Sequence, residues 1–217
     1  MKKAFLYLSL FFACLTTQAQ YMQDVNGKPL LSAKYVDVVG SPYLFETWNK
    51  GDVVLSDGTT YKELDLKYNQ VDGIVFFKGK NGEDLGFTLP VKSFKLYPNN
   101  ALMSFVLAPE IKDGSSDPYF ELLSDGKKVK FLKKVSKAVR ESKSYGSASA
   151  TKIFAENLNY YLLKADGTPL KVKKDKKGIL GALSDKSAEL EQYIKDNKTN
   201  FKEDASVAAL VDYYNTL

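Results

Sequence analysis

Apolar and polar positions alternate with a period of two through most of this chain, and with a period near 3.6 only at its end. Lys62, Leu64, Leu66 and Tyr68 fall on one face of a run whose other face carries Tyr61, Glu63, Asp65 and Lys67. Similar short runs cover Asp52–Leu55, Ile74–Phe77, Leu85–Leu89, Val91–Tyr97, Tyr119–Leu123, Val129–Leu132, Tyr160–Leu163 and Leu170–Val172. The punctuation between them is distinctive. Seven of the fourteen glycines directly follow Asn or Asp, at Asn26, Asp57, Asp72, Asn81, Asp113, Asp125 and Asp166. Such dipeptides suit type I′ turns and, between alternating runs, predict β-hairpins. The sequence Leu55-Ser56-Asp57-Gly58 returns as Leu123-Ser124-Asp125-Gly126, and more loosely as Leu163-Lys164-Ala165-Asp166-Gly167. The unequal spacings indicate repeated hairpin chemistry and not a solenoid.

From Lys176 onward the alternation stops. Ile179, Leu180 and Leu183 predict a short helix, and Ser184 is placed to cap a second bearing Leu190, Tyr193 and Ile194. A third starts near Asp204, with Val207, Leu210, Val211 and Tyr214 on one stripe. The expected class is α+β, mainly β: an antiparallel hairpin meander, as a sandwich or partly open barrel, over residues 20–175. Two to three helices over 176–217 pack on it. The serine-rich stretch from Val135 to Thr151 reads as a loop or linker.

The N-terminus changes the setting. Lys2 and Lys3, an apolar run from Ala4 to Leu15, and small residues at Thr17 and Ala19 form the layout of a secretory signal over 1–19, cut after Ala19. A second processing route is acylation of Cys14, because Phe11-Phe12-Ala13-Cys14 loosely resembles a lipobox. The run is too short to span a bilayer, and no later segment is apolar enough to do so as a helix. The mature chain would then be exported, to the periplasm, the outer membrane or the exterior.

Composition narrows the chemistry. The chain has no histidine, and its one cysteine is Cys14. The mature protein would therefore lack disulfides, thiolate or histidine nucleophiles and the usual zinc ligands. A net charge of +5, or +3 without Lys2 and Lys3, is too mild to indicate nucleic acid. No cofactor and no metal site is expected. The loop Asp113-Gly114-Ser115-Ser116-Asp117 lacks the spacing of a calcium loop and reads as a turn.

Three groups remain as candidates. Tyr43, Phe45 and the single tryptophan, Trp48, can form a stacking platform for sugar rings or pack into the core. Lys127, Lys128, Lys130, Lys133 and Lys134 form a basic run that can attract an anionic lipid or glycan, or simply solvate a strand face. Glu63 and Asp65, two apart on a strand, offer the separation of a glycoside hydrolase pair but sit among lysines on a polar face.

The stretch Trp48-Asn49-Lys50-Gly51 with Leu55, Asp57-Gly58 and Tyr68-Asn69 resembles a pattern in small secreted proteins of Gram-negative bacteria. The tail Tyr193-Ile194-Lys195-Asp196-Asn197-Lys198, ending in Tyr213-Tyr214-Asn215, is similar to the closing helices of that group. The resemblance implies an envelope or extracellular location and a β-rich fold, with no activity and no site residues. The expected function is a monomeric, non-catalytic binding or structural protein whose partner is an envelope protein, glycan or lipid. A periplasmic carrier of apolar ligands and a carboxylate-dependent glycan enzyme are the rivals.

Overall fold

The structure is a computed structural model and describes residues 27–29, 35, 37–143 and 150–217. The expected signal segment 1–19 with Cys14, the expected start of the mature chain and residues 144–149 of the serine-rich stretch lie outside the described residues. The strands are β1 (Gly27–Pro29), β2 (Val38–Val39), β3 (Asn49–Leu55), β4 (Thr60–Asn69), β5 (Ile74–Lys78), β6 (Asp84–Phe87), β7 (Val91–Leu96), β8 (Met103–Leu107), β9 (Tyr119–Asp125), β10 (Val129–Ser142), β11 (Thr151–Lys164) and β12 (Pro169–Val172). Three helices follow, α1 (Lys176–Ala182), α2 (Ser187–Asp196) and α3 (Asp204–Thr216). The class is thus mainly β with C-terminal helices, as the periodicity predicts.

The strands form one open sheet in the order β1-β6-β5-β4-β3-β7-β8-β9-β10-β11-β12, with β2 beside β11. Every pairing is antiparallel except β2 with β11. The sheet curls. Strands β4 and β9 are four steps apart, roughly 19 Å along a flat sheet, yet the Tyr68 and Tyr119 rings lie 6.0 Å apart. Beyond the end of β4, Gln70 reaches β10, donating from Nε2 to the Val135 carbonyl at 2.9 Å and accepting from the Lys137 amide at 3.3 Å. Half of the sheet is therefore wrapped into a partly open barrel.

The inward face of that half holds Leu66, Phe94, Phe105 and Tyr119 among eleven buried apolar residues. Phe94 and Phe105 stack at 4.6 Å. The same sheet face continues beneath the helices, where Phe131 and Leu162 meet Ile179, Leu190, Leu210 and Val211. On the opposite face Ala108 and Ile111, from the loop after β8, cover Phe120, Leu132 and Tyr161.

The turns are not of type I′. At Asp57-Gly58 only the glycine has positive φ, 89°. The Gly58 amide donates to the Leu55 carbonyl, the Leu55 amide donates to the Thr59 carbonyl, and Asp57 Oδ1 accepts from the Thr59 amide. This is a three-residue loop, a type I turn closed by a glycine bulge. The same backbone pattern recurs at Asp166-Gly167 and Asn81-Gly82. The aspartate works through its side chain, which is why Asp-Gly marks both turn types. Asp113-Gly114 lies in the long loop that joins the antiparallel pair β8 and β9 and makes no tight hairpin turn.

Two other readings are corrected. Residues Val135–Ser142 and Thr151 are strand, not linker: β10 and β11 pair over fourteen positions, from Val129↔Lys164 to Ser142↔Thr151. Val135, Lys137 and Val139 keep the alternation that the intervening serines obscure. Ser184 does not cap the second helix. It opens a 3-10 turn, Ser184–Lys186, and α2 starts at Ser187. The expected first helix holds, capped by Asp175 Oδ1, which accepts from the Gly178 amide at 2.7 Å.

Asn215 locks α3 to the sheet. Its Oδ1 accepts from the Lys128 and Val129 amides and its Nδ2 donates to the Val129 and Val211 carbonyls, each at 3.0 Å. Gly126 makes room for it, since a Cβ there would sit 1.9 Å from Asn215 atoms. Asn215→Ala leaves these strand-end groups without partners and is expected to cost about 2–3 kcal/mol. Gly126→Ala should cause a similar loss by displacing the amide. Urea unfolding checks both, and wild-type midpoints would refute the role.

Candidate functional site: an aromatic and lysine face on the outer barrel wall

Of the five lysines expected to form an anionic-partner patch, the structure leaves two as surface charges. Lys127 and Lys128 are exposed in the turn before β10. Lys130 pairs with Asp125 at 2.9 Å. Lys133, on the helix face, bridges Glu121 at 3.1 Å and Asp204 at 2.9 Å. Lys134 points to the opposite face and is fully buried, so the expected patch does not form as one surface. The reason is strand alternation: consecutive residues of β10 point to opposite faces.

Lys134 sits in a polar cluster inside the protein. Its Nζ lies 3.0 Å from Asp117 Oδ2 and donates to the Asp117 and Tyr119 carbonyls at 2.5 and 2.8 Å. The Tyr68 hydroxyl donates to Asp117 Oδ2 at 2.5 Å, and the Tyr119 amide donates to Oδ1. Burial pushes the Asp117 carboxyl above its usual range, although Lys134 and Tyr68 pull it down. Burial, reinforced by Asp117, pushes the Tyr119 phenol up to about 12. The strained balance of this pair marks groups of the kind found in active sites. Both side chains are fully buried, however, and their hydrogen bonds tie the loop before β9 to β4 and β10. The arrangement is a structural ion pair.

Asp204, in the first turn of α3, is the hub of a second network. It accepts from Lys174 Nζ and the Tyr160 hydroxyl, and pairs with Lys133. Burial raises its carboxyl pKa, but these donors outweigh burial and hold it below the ordinary value. A carboxylate with a lowered folded pKa contributes stability above its unfolded pKa, about 4. That contribution is lost as pH falls through the folded value. Asp204→Asn should therefore lower the unfolding midpoint at pH 7 and flatten the acid limb below about pH 4. An unchanged acid limb would contradict this.

The carboxylates read as a hydrolase pair are placed separately. Asp65 forms an ion pair with Lys50 at 2.9 Å. Glu63 occupies a bulge with φ 56°, its amide donating to Asp52 Oδ1. In the 113–117 loop the oxygens cap their own backbone: Asp113 Oδ1 accepts from the Ser115 amide, and Ser115 Oγ from the Asp117 amide.

The aromatic group is split, and the part left outside gains partners that the sequence did not assign to it. Phe45 packs on the barrel core. Tyr43 and Trp48 lie on the outer wall, half-buried. The β-register builds this face. Asn49 opposes Leu66, which places Trp48 beside Lys67; Lys67 opposes Phe76, and Phe76 opposes Gly86. Tyr43 closes over the row, with its ring 6.0 Å from Phe76. Its segment is held by Lys137 Nζ, which donates to the Ser41 and Tyr43 carbonyls at 3.1 and 2.7 Å. Backbone bonds from Leu44 to Tyr68 and from Gln70 to Pro42 complete the anchoring.

Two ammonium groups converge here. Lys67 Nζ is 4.2 Å from the Tyr43 ring centre and 5.8 Å from that of Trp48. Lys78 Nζ is 5.9 Å from Trp48. Among the described residues neither lysine has a carboxylate within ion-pair distance. Burial first, then Asp84 and Asp72, raise the Tyr43 phenol pKa, so it stays neutral. Lys67 and Lys78 could have been found in the sequence only through the register of the Asp72-Gly73 hairpin, which sets Lys67 opposite Phe76. Cations against aromatic faces, with no competing carboxylate at contact, suit a ligand offering both a flat apolar surface and negative charge.

The barrel interior offers less. Between Tyr68, Gln70, Phe105 and Lys133 it holds about 50 Å³, against some 300–1,000 Å³ for small-molecule sites. An apolar-ligand carrier would need more room than this.

No family model, no curated protein and no solved structure matches this chain.

Proposed function

We propose that this chain is an exported, non-catalytic binding protein of the cell envelope, and that the outer wall of β4 and β5 recognises an acidic glycan. One observation carries the reading: Lys67 and Lys78 both approach the single tryptophan without a carboxylate partner. A sugar ring presents an apolar C–H face that stacks on an indole. A carboxylate, sulfate or phosphate on the same ring pairs with an ammonium, and Lys78 is exposed to meet it. The Lys134 network ties β4, which carries Lys67, to the loop before β9. Export by the expected signal segment would bring the protein to where such glycans occur.

Calorimetric titration with polygalacturonate and with a neutral glucan tests the reading. Binding of the acidic polymer alone is expected, weakened at least about tenfold, near 1.4 kcal/mol, by Lys67→Ala with Lys78→Ala. Equal binding of both polymers, or none of either, would reject it.

A further inference from the structure

The long hairpin leaves a gap in the sheet. β12 covers the outer edge of β11 from Tyr160 to Leu163, and β2 covers it at Lys152 and Ile153. Among the described residues no strand pairs with that edge from Ala155 to Asn159. The gap is about 17 Å long and is closed at both ends by strands already in place.

The direction of the free groups follows from the neighbouring turn. The Lys164 amide points to Thr168 on the β12 side, and the Ala165 amide points to Lys128 beside β10. Alternation then turns the outward groups of Phe154, Glu156 and Leu158 to this edge; the Phe154 amide is taken by the Val39 carbonyl in the parallel pairing, and the amide and carbonyl of Glu156 and Leu158 face the gap.

The two faces flanking the gap differ in chemistry. On the helix face Leu158 is 54% exposed and Val139 38%, and Val39, at the end of the gap, is 61% exposed. These are three of the six large apolar residues that are exposed among the described residues. On the other face Arg140 and Lys171 are exposed, with no carboxylate partner among the described residues. They border an open polar depression of about 800 Å³ floored by Ser136, Asn157 and Asn159. Asp113 on its far wall accepts from the Ser115 amide.

We infer that this gap is a binding site for an extended peptide segment of about five residues, added as a strand beside β11. Its side chains alternate apolar and acidic. The apolar ones cover Leu158 and Val139, and the acidic ones face Arg140 and Lys171. Main-chain hydrogen bonds supply affinity and the two faces supply selectivity. The open edge is otherwise a liability that invites uncontrolled pairing.

The test uses the full mature chain and a fluorescent eight-residue peptide of alternating Val and Glu flanked by Thr. Saturable binding is expected, with hydrogen-exchange protection of the Glu156 and Leu158 amides. A Lys-for-Glu peptide should bind at least about tenfold more weakly. Glu156→Pro removes an amide that faces the gap and spares the pairing with β10, so it should abolish binding. Should that variant misfold, Arg140→Glu with Lys171→Glu should reverse the preference between the two peptides. No binding, protection elsewhere, or protection of these amides before peptide is added would overturn the inference. So would a concentration-dependent dimer that protects the same amides.

Discussion

Lys134→Met is expected to remove about 3–5 kcal/mol of folding stability, because it strands a buried carboxylate. The ammonium touches Asp117 Oδ2 and two carbonyls, and nothing from solvent can replace it. Against a total stability of roughly 5–15 kcal/mol, that is a large share. The loss should depend on pH. A carboxyl whose folded pKa lies above its unfolded value gives stability that is complete below the unfolded pKa, about 4. It loses that stability as pH rises through the folded value. Burial already raises Asp117, and Lys134 is the strongest influence lowering it. Without Lys134 the carboxyl rises further, so the variant should be closer to wild type at pH 4 than at pH 7. Asp117→Asn with Lys134→Met should cost less than the sum of the single changes, since each removes what the other leaves unpaired. Urea unfolding at both pH values gives the answer. A loss below 1 kcal/mol that does not vary with pH would mean that the pair is solvated.

Phe94→Ala should cost about 3–5 kcal/mol. Phe94 stacks on Phe105 at 4.6 Å and meets Tyr68 and Tyr119 edge-on at 5.0 and 5.2 Å. These rings come from β7, β8, β4 and β9, so one side chain holds the curl of the barrel wall. Truncation leaves a cavity where β4 faces β8 and β9, which are not its neighbours in the sheet, and collapse there is restrained by the backbone pairing on each side. Phe94→Leu retains more volume and should lose less. Equal losses for the two would argue against the ring packing, and thermal unfolding separates the cases.

The strands and their order along the chain were largely legible because local chemistry specifies them. Asp57-Gly58 and Asp166-Gly167 mark turns whatever the turn subtype, and apolar alternation fixes which face of β4 enters the core. The long β10–β11 ribbon was not legible. Ser136 and Ala138 interrupt the apolar signal, although Val135, Lys137 and Val139 preserve the period. Burial of Lys134 was hidden for a different reason. Its partners, Asp117 and Tyr119, are 17 and 15 positions away (134 less 117, and 134 less 119) and meet it only once β9 pairs with β10. A lysine between Lys133 and Val135 carries no local mark of its destination. The outer aromatic wall was half legible: Tyr43 and Trp48 stood out as types, while Lys67 joins them only through cross-strand register.

The structure thus redistributes the charges that the sequence displays most openly. Lysines that cluster in the chain are drawn into ion pairs or the interior, and lysines far apart in the chain gather on aromatic rings. The claim that follows is that Lys67, Lys78 and Trp48 form one recognition surface. Since Trp48 is the only tryptophan, its fluorescence reports on that surface alone. Titration with oligogalacturonate should give a saturable change in its emission, absent in the Lys67→Ala, Lys78→Ala variant and unaffected by Lys127→Ala with Lys128→Ala. An emission spectrum that stays constant across the titration, or a change that survives loss of both Lys67 and Lys78, would contradict the account.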